Sequence, residues 1–440
     1  MNTVASLYAA DGGGGLVYPP LDGSTHADIV IVGAGLTGLS AALHLAEKGV
    51  KVIVLETEQP GWGASGRNGG QVNPGLKPLP SQVEQDFGPV YGPALVDAAW
   101  NAPNLVFDLI ERHGIACAAL RGGTVRAATA PAQLAPLRQL TEECQKRGWP
   151  VQWLEPADML ARSGNALYCG GMLDARGGQL DPLAYTRGLA QAAAKAGASL
   201  YGGTRVSSFA RQGDAWQVQT GQGSVRADRL LFATNGYTDK AWDALRRSVV
   251  PVYSGIVAST PLPEERAARI LAQHEVLYEL GQITTYYRVD AQRRLLMGGR
   301  SYSHHLHGAS AFPYLVQRAL TLWPELRDIS WTHGWNGQLG VTLDHYPHWH
   351  EPEPGLLACV GYNGRGVAMA TVMGQYIAHY VTGQGTSLFP PTPVKPIAGH
   401  FGWKMGVAGR ILWGRLADRL GCSFKTNVKK GSSHSPLNSG

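Results

Sequence analysis

Between the apolar run Asp28-Ile-Val-Ile-Val32 and a helix-patterned stretch lies Gly33-Ala-Gly35-Leu-Thr-Gly38, and this spacing constrains the chain more than any other feature. Gly33 permits a tight turn out of a strand. Gly35 lets the backbone approach a pyrophosphate, and Gly38 lets helix and strand pack closely. Leu36, Leu39, Leu43 and Ala46 recur at three- and four-residue spacing, the stripe of a helix packed on a sheet, and Gly49 stops it. A second apolar run, Val50 to Leu55, ends at Glu56, where a carboxylate can accept hydrogen bonds from an adenosine ribose. Strand, turn, helix, strand and acid in this register predict a dinucleotide-binding βαβ unit. The N–H groups at its helix start, Leu36 and Thr37, face the phosphates.

That unit serves FAD and NAD alike, so the separation rests on two further glycine-rich loops. Gly61-Trp-Gly-Ala64-Ser65-Gly-Arg67-Asn68-Gly69-Gly70 is too glycine-rich for a simple turn, and Ser65, Arg67 and Asn68 supply hydrogen-bonding groups. Gly361-Tyr-Asn363-Gly364-Arg365-Gly366 opens a further helix at Val367, whose positive end can face the N1 and C2 carbonyl edge of a reduced flavin. A nicotinamide that leaves after each turnover needs no such second clamp, whereas a retained flavin does. Gln71, Val72, Val206, Ala233, Thr234, Asn235, Gly236 and Gly337 complete the expected cofactor contacts.

A chain of 440 residues, 44% hydrophobic and 16% charged, exceeds one core and predicts two lobes. A helix from Pro182 to Ala196, a strand from Ala198 to Val206 and the run to Gly236 read as a second βαβ-like signal. Val249 to Asp290 alternates apolar and polar residues like an antiparallel sheet. Leu356 to Gly361 reads as one more buried strand before a helix. The expected fold is α/β plus α+β, a Rossmann-like domain of the glutathione-reductase kind with an inserted antiparallel-sheet substrate domain. The nucleotide domain is expected in 27–85, 172–240 and 331–385, and the substrate domain in 86–171 and 241–330. A leader, 1–26, precedes them, and a basic amphipathic helix and disordered tail, 386–440, follow.

With Ser6-Leu-Tyr8, the unit from Ala27 to Glu56, the loop from Gly61 to Lys77, Ala233 to Gly236 and Gly361 to Ala370, the chain resembles the D-amino-acid oxidase superfamily of FAD enzymes over nearly its whole length. The likeness is nearest to its γ-glutamylputrescine oxidase branch. It implies oxidation of an amine to an imine, which water converts to an aldehyde plus amine or ammonia, with oxygen reduced to hydrogen peroxide. Relatives that bind amino acids carry an arginine for the substrate carboxylate in the stretch matching Trp335 to Thr342, where this chain has Leu339. A second such cation matches Gly364 and Ala368, with Arg365 displaced by one. An α-carboxylate without a charged partner is poorly held in a dry pocket, which favours an amine remote from its carboxylate or lacking one. The cysteine and histidine that bond the flavin in some relatives are both absent from the matching places, so noncovalent FAD is expected.

No protein acid or base is required for hydride transfer to flavin N5, because geometry and cofactor carry it. Gln71, Tyr253, Tyr286, Trp335 and Asn363 are the candidates for the amine pocket, each aromatic having a plain alternative role in the core. The expected partners are a small amine and molecular oxygen or another electron acceptor, in a monomer or homodimer. A dehydrogenase passing electrons to a quinone or protein is the nearest alternative. A tRNA-modifying flavoprotein and a non-catalytic flavin binder stand further off.

The net charge of +6 gathers at the end, where Lys395, Lys404, Arg410, Arg415, Arg419, Lys425, Lys429 and Lys430 face one acid, Asp418. A near-neutral body with a basic tail does not suit nucleic acid. Five scattered cysteines without a CxxC pair read as thiols in a reducing compartment. An N-terminus whose first Lys or Arg is Lys48, with no apolar run of membrane-spanning length, makes the cytoplasm the default. His304, His305 and His307, like His345, His348 and His350, lack metal-ligand spacing and are expected in solvated loops, with no metal. Trp403, Val407, Ile411 and Leu412 share a stripe that docks on the enzyme's body in preference to a membrane surface.

Overall fold

The computed structural model describes residues 6–419 except 14 and 303. The tail from Lys429 lies outside them. An eight-stranded sheet runs in the order His348–Glu353, Leu356–Val360, Gly223–Phe232, Gly23–Val32, Val52–Leu55, Ser199–Tyr201, with the hairpin Val206–Gln212 and Ala215–Thr220 attached to Gly223–Phe232. The pairings from Leu356–Val360 across to Ser199–Tyr201 are parallel. Alternation along these strands serves both faces. Ile29, Ile31, Val54 and Leu231 join one core, which includes the helices Leu36–Ala46 and Gly366–Val381, while Val30, Ile53 and Leu230 join another.

The second eight-stranded sheet has the order Trp331–Val341, Val250–Pro261, Arg294–Arg300, Tyr286–Val289, Val276–Leu280, Thr124–Ala128, Gly170–Asp174, Val151–Leu154. Its pairings are antiparallel except that of Val276–Leu280 with Thr124–Ala128. Two strands depart from the grouping expected from sequence. Trp331–Val341 pairs with Val250–Pro261 along its length, and Gly170–Asp174 with Thr124–Ala128, so both lie outside the nucleotide sheet. A buried apolar strand looks alike in either sheet, and its long-range partner decides the matter. The expected strand from Ala198 to Val206 is broken as well. It stops at Tyr201, and Gly203 and Thr204 donate their N–H groups to the carbonyls of Glu58 and Glu56 before a new strand begins at Val206.

Short connections bring the two sheets over one cavity. Gln71–Val72 pairs with Gly178–Gln179. In the leader, Ser6 caps the helix Leu7–Asp11, burying Leu7 and Tyr8. Near the other end, the helix Trp403–Arg419 lays Trp403, Val407 and Ile411 over the cavity. Leu412, expected on that stripe, is exposed on the outer side with Phe401 and Met405. Among the described residues no helix is long and apolar enough to cross a membrane.

Candidate active site

A cavity of about 2900 Å³ runs from the glycine turn to the C-terminal helix. At its first end the wall is backbone. Gly33 has φ +106°, a conformation that favours glycine, and a Cβ on Gly38 would lie 2.1 Å from the Gly33 carbonyl oxygen. Neither position tolerates a side chain, and the turn therefore opens the start of the Leu36–Ala46 helix to the cavity. Glu56 accepts the Ala34 N–H at 2.8 Å and the Glu58 N–H at 3.0 Å, and burial raises its carboxyl above the usual range. A carboxylate beside a glycine turn and a helix start whose N-cap, Gly35, has no side chain, with the Leu36 N–H donating to Ser65 Oγ at 3.0 Å, fits the ribose and pyrophosphate of a dinucleotide.

The middle of the cavity is held by a buried arginine. Arg288 donates to the Gly69 carbonyl at 2.7 Å, to the Gln179 side-chain oxygen at 2.9 Å and to the Tyr8 hydroxyl at 3.3 Å. Tyr8 in turn donates to the Asn68 carbonyl at 3.0 Å, so leader and loop are tied together. Asn68 also accepts the Gly70 N–H at 2.8 Å, turning the loop over at Gly70, φ +69°. Opposite, the start of the Gly366–Val381 helix lines the cavity with Gly364, Arg365, Gly366 and Val367. Asn235, φ +42°, accepts the Gly361 N–H at 3.0 Å and joins that loop to the nucleotide sheet.

Positive charge gathers at the far end. Lys77, Arg300, Arg365 and Arg410 all line the cavity. Arg365 donates to the Pro74 carbonyl at 2.9 Å and the Tyr278 hydroxyl at 2.8 Å, both neutral, and burial lowers its affinity for its proton. Burial, together with Arg300, Arg365 and Arg410, lowers the Lys77 ammonium to about 8. His345 stands among them, held neutral by burial and by Lys77 with its pKa lowered to about 4, and among the described residues its buried Nδ1 has no hydrogen-bond partner. Lys77, Arg300 and Arg410 are cavity residues that do not stand out as site residues in the sequence. Only Lys77 carries a signal there, as the end of the distinctive loop.

Residues 28–380 match the family model described as DAO, FAD dependent oxidoreductase. The chain belongs to the DAO family. It is thus an FAD-dependent oxidoreductase, and the backbone-walled end of its cavity fits that cofactor. The chain is 32% identical to a probable oxidoreductase OrdL of Rhizobium meliloti (strain 1021), across 84% of this chain and 87% of that protein. It is 29% identical to the gamma-glutamylputrescine oxidoreductase of Escherichia coli (strain K12), across 86% and 89%. Its fold matches the crystal structure of glycine oxidase from Geobacillus kaustophilus with a TM-score of 0.70 at 24% identity, covering 85% of this chain and 99% of that one.

In this DAO-family chain most of the expected cofactor contacts meet in the cavity: Gly33, Gly35, Leu36, Thr37 and Glu56; Ala64, Ser65, Arg67, Asn68, Gly69 and Gln71; Ala233 through Gly236; Gly337; and Gly364 through Val367. Gly38, Gly70, Val72 and Gly361 stand behind this wall and shape it. Val206 does not line the cavity, because its side chain is buried in the core behind the nucleotide sheet.

Of the amine-pocket candidates, Tyr286 and Gln71 line the cavity. The Tyr286 hydroxyl meets Ser254 Oγ at 2.9 Å, and the Gln71 amide donates to the Leu277 and Tyr287 carbonyls. Asn363 lines it too, with its side chain spent on Thr342 and the Gly361 carbonyl. Two candidates fail as pocket walls. Trp335 is wholly buried, packs edge-on to Tyr8 and donates its indole N–H to the Arg67 carbonyl at 2.9 Å. Tyr253 is buried and does not line the cavity, and its hydroxyl donates at 2.6 Å to the side-chain oxygen of Gln338, which does. The expectation of solvated histidines also fails for His350, which lies buried in the strand His348–Glu353 with Nδ1 2.8 Å from the Thr392 carbonyl.

Proposed function

We propose that this enzyme oxidises the carbon beside the nitrogen of a small amine of the γ-glutamylputrescine kind, with noncovalently bound FAD. The observation that carries the reading is Leu339. It lines the cavity where the resemblance to amino-acid-oxidising relatives calls for a carboxylate-binding arginine, so that position offers an α-carboxylate no charge. Similarity to a gamma-glutamylputrescine oxidoreductase supports it.

Bound FAD supplies the two-electron acceptor for this C–H bond. The chain holds and shapes. The Gly33–Thr37 turn and Glu56 would hold the nucleotide, Ser65 through Gln71 and Gly364 through Val367 the ring, with Arg288 fixing the loop by three hydrogen bonds. Tyr286, backed by Ser254, and Leu339 would wall the amine. In this division of labour the first sheet carries the nucleotide and the second covers the substrate. The amine loses two electrons and two protons to become an imine, water yields the aldehyde plus ammonia or amine, and oxygen takes the electrons as hydrogen peroxide.

Anaerobic bleaching of the yellow holoenzyme by a panel of γ-glutamyl amines, polyamines, N-methyl amino acids and D-amino acids tests the reading. Amines with no α-carboxylate beside the reacting nitrogen are expected to bleach it, and reduction by α-amino acids alone would overturn the reading. Peroxide formed in proportion to imine marks an oxidase. Imine without peroxide marks a dehydrogenase with another acceptor.

A further inference from the structure

Among the described residues, the far wall of the cavity holds more positive charge than its surroundings neutralise. Lys77, Arg300 and Arg410 line it together, and among the described residues none of them forms an ion pair with a carboxylate. Arg410 makes one hydrogen bond, to the Gln282 side-chain oxygen at 2.9 Å, and among the described residues no hydrogen bond reaches the Arg300 guanidinium. The acids on the same cavity are engaged elsewhere. Glu279 pairs with Arg318, Asp239 with Arg205 and Asp344 with His348, while Asp86 accepts from Tyr346 at 2.7 Å. Glu56 and Glu58 stand at the nucleotide end.

Like charges gathered on one wall, here the half-buried Arg300 with the exposed Lys77 and Arg410, attract an anion. Two features mark the anion as a ligand's. Burial first, and then the charges of Arg300, Arg365 and Arg410, depress Lys77, and burial with Lys77 beside it keeps His345 neutral, whose Nδ1 is buried on the same cavity with no hydrogen-bond partner among the described residues. The helix Trp403–Arg419, which supplies Arg410, also places Trp403, Val407 and Ile411 on this cavity, an apolar surface beside the charges. Lys77 ends the glycine-rich loop, Arg300 ends the strand Arg294–Arg300 and Arg410 lies in the helix Trp403–Arg419, none of them on the Gly33–Thr37 turn.

We infer that Lys77, Arg300 and Arg410 form a carboxylate-binding site at the end of the cavity remote from the nucleotide, selecting amines that carry a carboxylate several bonds from the nitrogen oxidised. This inference rests on the amine-oxidase reading for what is oxidised, but the site itself does not depend on it. In γ-glutamylputrescine the α-carboxylate and the primary amine stand at opposite ends of the molecule, the spacing that suits a charged far wall and an uncharged Leu339. Arg300 and Arg410 offer planar forks to carboxylate oxygens, with Lys77 as a third donor.

The test uses the FAD-loaded enzyme and two readouts. First, glutarate, a carboxylate probe with no amine, is titrated calorimetrically into wild type, Arg300→Met and the more exposed Arg410→Gln. Glutarate is expected to bind wild type and to lose affinity in each variant by on the order of tenfold to a hundredfold. No binding to wild type, or equal binding to all three, overturns the inference. Second, KM is compared for γ-glutamylputrescine and for its α-carboxamide. Wild type is expected to favour the carboxylate, with the preference collapsing in both variants and the loss falling on KM more than on kcat. Equal KM values in wild type overturn the inference while leaving the amine-oxidase reading intact. If no amine bleaches the flavin, that reading falls and glutarate still decides the site.

Discussion

At the nucleotide end of the cavity the wall is main chain, and at the far end it is side-chain charge. The first end works by omission, since Gly33 takes a positive φ that favours glycine, a Cβ on Gly35 would press on Ser65 Oγ and one on Gly38 would strike the Gly33 carbonyl. The second works by accumulation, with Lys77, Arg300, Arg365 and Arg410 drawn from four separate parts of the chain. A wall of backbone recognises what every family member shares, the pyrophosphate of a cofactor. A wall of cations can be rebuilt residue by residue and so suits the variable half of the reaction. The two ends should therefore break differently.

The largest effect is expected from Gly38→Ala. Its new Cβ would stand 2.1 Å from the Gly33 carbonyl oxygen, main chain that cannot withdraw without opening the turn. Overpacking of this kind costs about 1–3 kcal/mol or more, concentrated here on the cofactor turn. The purified variant should lose the flavin absorbance that wild type shows, whereas Arg410→Gln at the other end should keep it. A yellow Gly38→Ala protein with wild-type FAD affinity would show that this end is not built by exclusion.

Arg288→Met cuts the tie between leader, loop and second sheet and should rank next. Removing the guanidinium leaves the Gly69 carbonyl, the Gln179 side-chain oxygen and the Tyr8 hydroxyl short of a donor. Each buried group stranded in this way costs about 1–3 kcal/mol. A lower Tm is expected for the apoenzyme as well as for the holoenzyme. A drop confined to the holoenzyme would instead make Arg288 a cofactor contact rather than a tie between leader, loop and second sheet.

The same contrast explains what is legible in the sequence. The glycine turn, Glu56 and both glycine-rich loops can be read there because a backbone requirement is local, and its spacing is written in consecutive residues. The cation wall cannot, because Lys77, Arg300 and Arg410 meet only through the pairing of the second sheet and the docking of the last helix. Leu339 is informative as an absence, at a position where the resemblance calls for a charge. Trp335 misleads for a related reason. A tryptophan on a strand beside the flavin loop suits pocket and core equally until the strand's register is known, and here its indole binds the Arg67 carbonyl inside the core. His350 reads as a loop residue because Pro347 forbids a helix, which does not forbid the strand beginning at His348.

The finest distinction between the ends is in their response to pH, and it turns on Lys77. Its pKa, lowered to about 8, leaves the ammonium charged at neutral pH and lets it lose its proton as the solution becomes mildly alkaline. Around it the guanidiniums of Arg300, Arg365 and Arg410 stay charged, His345 is neutral above about 4, and Asp344 is held ionised by His348. Lys77 is thus the neighbour whose charge changes in that range. An anion binds the protonated form better, so glutarate affinity should be flat from about neutral pH to about pH 8 and weaken above it by up to about tenfold per pH unit. Lys77→Met should bind more weakly at neutral pH and show no such limb, while FAD retention, which depends on the backbone end, should be the same on both sides of the transition. Calorimetric titration of glutarate across this range checks the point. A limb surviving in Lys77→Met would assign the titration to another group and remove Lys77 from the far wall's charge.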